Sequence, residues 1–126
     1  MPHVILEYTD NLEFETQPLF ARLHDELVAT GAVNMKGLKS RAIRHTEYRM
    51  ADGYEGYAFA HLNILLRAGR SVETQQDVAR RALAVLEETF GHRYAEGYLS
   101  LSVDIQEMKE GIALTKHNIP AGGVGS

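Results

Sequence analysis

The second residue of this chain has the least ordinary chemical potential. Initiator methionine is normally removed ahead of a residue as small as proline, and loss of Met1 makes the Pro2 nitrogen a secondary amine at the chain end. An α-amino group titrates at about 7.7–8.0 in peptides; a secondary amine is intrinsically more basic, and burial beside cations lowers it toward neutrality. Such an amine can act as a general base if it is held still. A strand-like apolar run starts directly after Pro2, which would fix the amine at a strand end. A retained Met1 would turn the same nitrogen into an amide with no lone pair to offer.

The other reactive residue types are dispersed. Six histidines, His3, His24, His45, His61, His92 and His117, are present, and none lies within four residues of another, so no local metal motif exists. His61, inside an apolar run, reads as a hydrogen-bonded core residue. Neither a phosphate loop nor a Gly-x-Ser-x-Gly elbow occurs. Gly69-Arg70-Ser71 brings an arginine to a helix start, where backbone N–H groups and the helix dipole favour an anion; a solvent-facing arginine beside a capped helix is the plainer reading. Between Lys36 and Arg49 the cations Lys36, Lys39, Arg41, Arg44 and Arg49 meet only Glu47, a net +4 in a chain of net −4. That stretch is either a small-anion site or a solvated segment balancing acidic helices.

The elements that must position these residues follow from periodicity. Pro2 to Tyr8 reads as a strand that ends in the turn Thr9-Asp10-Asn11. Leu19, Leu23 and Leu27 repeat every four residues in a helix with Thr16 as its expected N-cap, Pro18 in its first turn and Gly31 as its expected C-cap. Leu38 to Tyr48 alternates as a strand, with Lys39, Arg41 and His45 on one parity. The turn Ala51-Asp52-Gly53 leads to a strand from Tyr57 to Leu66, which Ala68-Gly69-Arg70 ends. A second helix is expected from the Ser71 cap, with Glu73 in its first turn, Val78, Ala82, Val85, Leu86 and Phe90 as its apolar stripe, and an end at Gly91. Leu99, Leu101, Val103 and Ile105 then alternate with Ser100, Ser102, Asp104 and Gln106 in a last strand with one dry and one polar face.

The order is β-α-β twice, an α+β chain with α/β-like halves. Residues 1–109 form one βαββαβ domain, and residues 110–126 are a tail that is flexible or contacts a neighbouring subunit. Two sheets satisfy this order: a split, ferredoxin-like sheet with its middle strands antiparallel, or two βαβ units that each keep their strands parallel and adjacent. Both put the two helices on one face. The other face is then bare, and the polar parity of the last strand makes it a wet surface suited to another subunit.

Composition bounds the classes. At 126 residues, 44% hydrophobic and without cysteine, the chain suits one self-sufficient core and excludes disulfide frameworks, thiolate zinc sites and cysteine nucleophiles. The apolar run Ala58 to Leu66 is interrupted by His61 and Asn63 and is too short to cross a bilayer; no basic segment precedes the first apolar run. A cytoplasmic protein without membrane attachment is expected, and its acidic balance argues against a nucleic-acid partner.

Taken together, Pro2 before a strand, Tyr8-Thr9-Asp10-Asn11, Ser40-Arg41, Met50-Ala51-Asp52-Gly53, Tyr57-Ala58-Phe59 with His61, and Ala68-Gly69-Arg70-Ser71 resemble the 5-carboxymethyl-2-hydroxymuconate isomerase family of the tautomerase superfamily. The match runs from about residue 2 to 107, and its specificity lies in the order and spacing of short motifs. The resemblance implies two βαβ units related by a pseudo-twofold, a four-stranded sheet with both helices on one face, and a homotrimer. It also implies Pro2 as the catalytic acid–base residue, Arg41 and Arg70 as binders of substrate carboxylates, a small polycarboxylate substrate, and no metal or organic cofactor. Arg44 and His45 match no role in it.

Three functions compete on these residues. An isomerase that ketonises an unsaturated 2-hydroxy polycarboxylate in aromatic catabolism would lose activity on Pro2→Ala. A non-catalytic oligomeric module holding an acidic metabolite would bind its ligand whether or not the N-terminus is blocked. A ferredoxin-like dimeric, cofactor-free monooxygenase would pair its second and third strands antiparallel.

Overall fold

In the computed structural model, which describes residues 2–125, four strands and two helices follow one another as β1 (His3–Thr9), α1 (Thr16–Ala29), β2 (Lys39–His45), β3 (Tyr57–Leu66), α2 (Val72–Glu96) and β4 (Tyr98–Glu107). A single 3₁₀ turn, Met35–Gly37, precedes β2. The sheet order is β2-β1-β3-β4. β1 pairs parallel with β2 and β3 parallel with β4, while β1 and β3 meet antiparallel at the centre. Each βαβ unit thus keeps its two strands adjacent, and β2 does not pair with β3, which excludes the ferredoxin-like alternative.

The core forms because the apolar parities converge on one side of the sheet. Ala58, Ala60, Leu62, Ile64 and Leu66 of β3, with Val4 and Leu6 of β1, are fully buried. Against them pack Leu19, Leu23 and Leu27 of α1 and Val78, Ala82, Val85, Leu86 and Phe90 of α2. Each such leucine contributes about 1.5–3 kcal/mol of burial. At one end the rings of Tyr8, Phe14 and Phe90 form an edge-to-face chain with centroid separations of 4.8 and 4.9 Å. Beside it, buried Thr9 ties β1 to β3. Its Oγ1 donates to Asn11 Oδ1 at 2.7 Å and accepts the Phe59 N–H at 3.1 Å, and Asn11 Nδ2 donates to the Tyr57 carbonyl at 2.8 Å.

The element ends differ in detail from the sequence expectations. Glu15, not Thr16, is the N-cap of α1, and no side chain caps it. Thr30 is its C-cap, and Gly31 follows at φ +79° with its N–H on the Val28 carbonyl. That left-handed turn suits glycine. β2 stops at His45 rather than Tyr48. Ser71 does cap α2, its side chain accepting the Thr74 N–H at 3.1 Å. The helix runs through Gly91 and ends only at Gly97, where the backbone becomes extended. A single interior glycine costs about 1 kcal/mol, too little to stop a helix whose stripe is anchored in the core.

The face opposite the helices is bare and mixed, with Ile5, Ile43, Phe59 and Leu65 among its polar residues. Two cross-strand contacts lie on it, His45 Nε2 with Glu7 Oε1 at 2.8 Å and His61 Nδ1 with Ser102 Oγ at 2.6 Å, and within β4 Gln106 Nε2 donates to Asp104 Oδ2 at 3.2 Å. Among the described residues no helix is long and apolar enough to cross a membrane. The removal of Met1 expected from the sequence, and Ser126 at the end of the tail, concern residues outside those described.

Candidate active site

Antiparallel pairing of β1 with β3 places the end of β3 beside the start of β1, with His3 opposite Leu65. The parallel pairing of β1 with β2 puts the start of β2 on the other side, and the Lys39 N–H donates to the Pro2 carbonyl at 3.3 Å. Pro2 is therefore buried and held where three chain segments meet. A cavity of about 290 Å³ opens there, lined by Pro2, Ala32, Val33, Asn34, Lys36, Gly37, Arg67, Arg70, Thr115 and His117. Among the described residues no aspartate or glutamate lines it, and three of its lining residues, Lys36, Arg67 and Arg70, are cations.

Arg70 reaches this cavity because β3 ends at Leu66 and Gly69, at φ +101°, turns the chain toward α2. Glycine tolerates that backbone, and the Glu107 carboxylate accepts the Gly69 N–H at 3.0 Å. Arg70 Nε and Nη2 both donate to the Ala32 carbonyl, at 3.1 and 2.6 Å. One edge of the guanidinium is thereby spent on the α1–β2 connection. Its end, bearing Nη1 and the second Nη2 proton, remains able to bind a carboxylate in a fork. The Arg70 carbonyl accepts from Gln75 Nε2 at 3.0 Å, which fixes the turn before the helix.

Arg41 is placed elsewhere. It pairs with Ile5 across β1 and β2 and projects on the bare face, where Nη1 donates to His3 Nδ1 at 3.1 Å. Burial, together with the positive charges of Arg41 and Lys39, holds His3 below the ordinary histidine value of 6.5. A histidine accepting from a guanidinium must be unprotonated at that nitrogen, so geometry and electrostatics agree. Within one chain Pro2 and Arg70 come together and Arg41 does not join them. Lys39, Arg41 and His45 do share one face, as their parity implies, whereas Lys36 turns into the cavity and Arg49 Nη2 donates to the Asp52 carbonyl at 3.1 Å. The basic stretch is therefore no single patch. His61 is no member of the site either; it hydrogen-bonds Ser102 on the bare face.

Sequence reasoning did not single out Arg67, Thr115 or His117, and it counted Lys36 only as charge. Arg67 directly follows β3, and its placement depends on the antiparallel β1–β3 pairing. Thr115 and His117 belong to the tail, which has no period to read. The tail nevertheless supplies part of the cavity wall, and His117 Nδ1 accepts the Ile119 N–H at 3.1 Å, which leaves Nε2 as a donor in the neutral ring.

Known proteins share the sequence pattern and the fold. Residues 2–121 match the family model described as 5-carboxymethyl-2-hydroxymuconate isomerase. The 5-carboxymethyl-2-hydroxymuconate Delta-isomerase of Escherichia coli is 32% identical over 123 residues, 96% of this chain and 98% of that protein. The crystal structure of a 5-carboxymethyl-2-hydroxymuconate isomerase from Deinococcus radiodurans R1 superposes with a TM-score of 0.87 at 37% identity, covering 93% of this chain and 90% of the other. A fused 4-OT protein, described as a symmetric trimer, shares the fold at a TM-score of 0.73 and 15% identity over 98% of this chain and 99% of its own. With the two parallel βαβ units, the paired cavity of Pro2 and Arg70 and a match over nearly its full length, the chain belongs to the 5-carboxymethyl-2-hydroxymuconate isomerase family.

Proposed function

We propose that this isomerase ketonises a 5-carboxymethyl-2-hydroxymuconate-type dienol, with the Pro2 nitrogen, freed by loss of Met1, as the group that carries the proton. The observation that carries this reading is the burial of Pro2 in a cavity whose charged walls are all cationic. Neighbouring cations favour the neutral amine, which can then accept a proton near neutral pH. In the reaction the enol O–H bond breaks, its electron pair forms the carbonyl, the conjugated double bonds shift, and a new C–H bond forms at the far carbon of the diene. One base that takes the oxygen-bound proton and delivers a proton to that carbon closes the balance. Arg70, anchored on Ala32, holds a substrate carboxylate and stabilises the negative charge that spreads through the dienolate.

The active assembly is a homotrimer. The bare face with its polar contacts, and β2 and β4 as open sheet edges, favour association with further copies. Arg41, on that face, holds a carboxylate only where a neighbouring copy brings a site to it. N-terminal mass measurement together with an enol-to-keto ultraviolet assay tests the central step. Loss of Met1 and a fall in kcat of at least ~100-fold for Pro2→Ala are expected; full activity with Met1 retained would overturn the reading.

A further inference from the structure

We infer that Lys36 and Arg67 are carboxylate-binding residues that, with Arg70, fit this cavity to an acid bearing three carboxylates rather than two. The inference rests on the proposed isomerase reading and deepens it. Lys36 lies in the 3₁₀ turn before β2, and Arg67 is the first residue after β3. They belong to different βαβ units; the parallel β1–β2 pairing brings Lys36, and the antiparallel β1–β3 pairing Arg67, to the cavity that holds Pro2.

Neither side chain has a hydrogen-bond or ion-pair partner among the described residues. Several other cations are engaged, Arg22 with Glu88, Arg81 with Asp77, Arg41 with His3, Arg93 with the Gly56 carbonyl and Lys39 with the Gly37 carbonyl, and what sets Lys36 and Arg67 apart from other unpaired cations is their place in the wall of the Pro2 cavity. Two unpaired cations beside Arg70, with no carboxylate in the wall, repel one another until an anion enters. A muconate chain has a carboxylate at each end, and a carboxymethyl branch adds a third. Within one chain, three cations from three separate backbone positions match that count. A dicarboxylate would leave one cation without its counter-charge, and discrimination follows from that loss.

The test uses the full chain and the variants Lys36→Met, Arg67→Met and Arg67→Lys, each checked for a parental circular dichroism spectrum. KM and kcat are measured with the 5-carboxymethyl-2-hydroxymuconate dienol and with the dicarboxylate 2-hydroxymuconate. At least one methionine variant is expected to raise KM for the tricarboxylate about 10- to 100-fold, more than it lowers kcat, while shifting the dicarboxylate KM far less. Arg67→Lys should recover part of an Arg67→Met loss. An unchanged preference between the two substrates in both methionine variants overturns the inference. Calorimetric binding of unreactive tricarballylate and glutarate separates this inference from the isomerase reading. If the parent turns over neither dienol, the isomerase reading fails. The cation assignment then stands only if tricarballylate binds at least ~10-fold more tightly than glutarate and the variants abolish that margin. Equal or absent binding of the two acids overturns it.

Discussion

Arg70 is asked to do two things at once, and the two separate on substitution. Its Nε and Nη2 hold the Ala32 carbonyl at 3.1 and 2.6 Å, while the end of the guanidinium faces the cavity. Arg70→Met removes both hydrogen bonds and leaves the carbonyl of buried Ala32 to whatever water enters the cavity. Hydrogen bonds to a charged group contribute about 1.5–3 kcal/mol, and partial solvent access puts the pair together near ~2 kcal/mol. For a chain of this size that corresponds to a melting point lower by roughly 8 °C. Loss of the carboxylate anchor adds a second effect: a fall in kcat/KM of about 30- to 100-fold, the equivalent of ~2–3 kcal/mol. Arg70→Lys keeps the charge but cannot span the Ala32 carbonyl and a carboxylate fork together, so it should fall between the two in both measurements. The assays are thermal unfolding at fixed protein concentration and steady-state ketonisation. A variant Arg70→Met that melts lower yet keeps its kcat/KM would make Arg70 a purely structural residue and refute its role in binding. A lysine variant equal to the parent would refute the fork geometry.

Other expectations follow from single contacts. Thr9→Val keeps the shape but strands the Phe59 N–H inside the sheet; a loss of about 1–3 kcal/mol in denaturant unfolding is expected. Burial holds His24 below the ordinary value of 6.5, with Asp25 opposing, and its Nε2 meets Ser40 Oγ at 2.7 Å. The unfolded chain therefore binds the extra proton first, so His24 costs stability as pH falls below 6.5; His24→Gln should lose less stability than the parent between pH 6.5 and 5 and match its trend above pH 7.5. Leu62→Ala, at a fully buried position of the central strand, should cost about 2–5 kcal/mol.

Much of the fold was readable because its signals are local. β3 and β4 alternate strictly, the α2 stripe is regular, and Ser71 caps as its type and place imply. The misreadings are local too. By propensity alone Gly91 reads as a stop, whereas the helix continues on the strength of tertiary burial around Phe90. Thr16 looked like a cap by type, but the chain enters the helix one residue earlier without a side-chain bond.

The amino-acid sequence by itself determined the order β-α-β twice, the apolar faces and the family, because periodicity and motif spacing are properties of neighbouring positions, and through the family resemblance it put forward Pro2, Arg41 and Arg70 as candidates. Only the tertiary structure decided which of these residues meet. The antiparallel pairing of β1 and β3 sets Pro2 against Arg67 and Arg70, and the parallel pairing of β1 and β2 adds Lys36 and turns Arg41 to the opposite face. Strand order and register are fixed by how two apolar surfaces pack across the whole sheet, and no window along the chain contains that information.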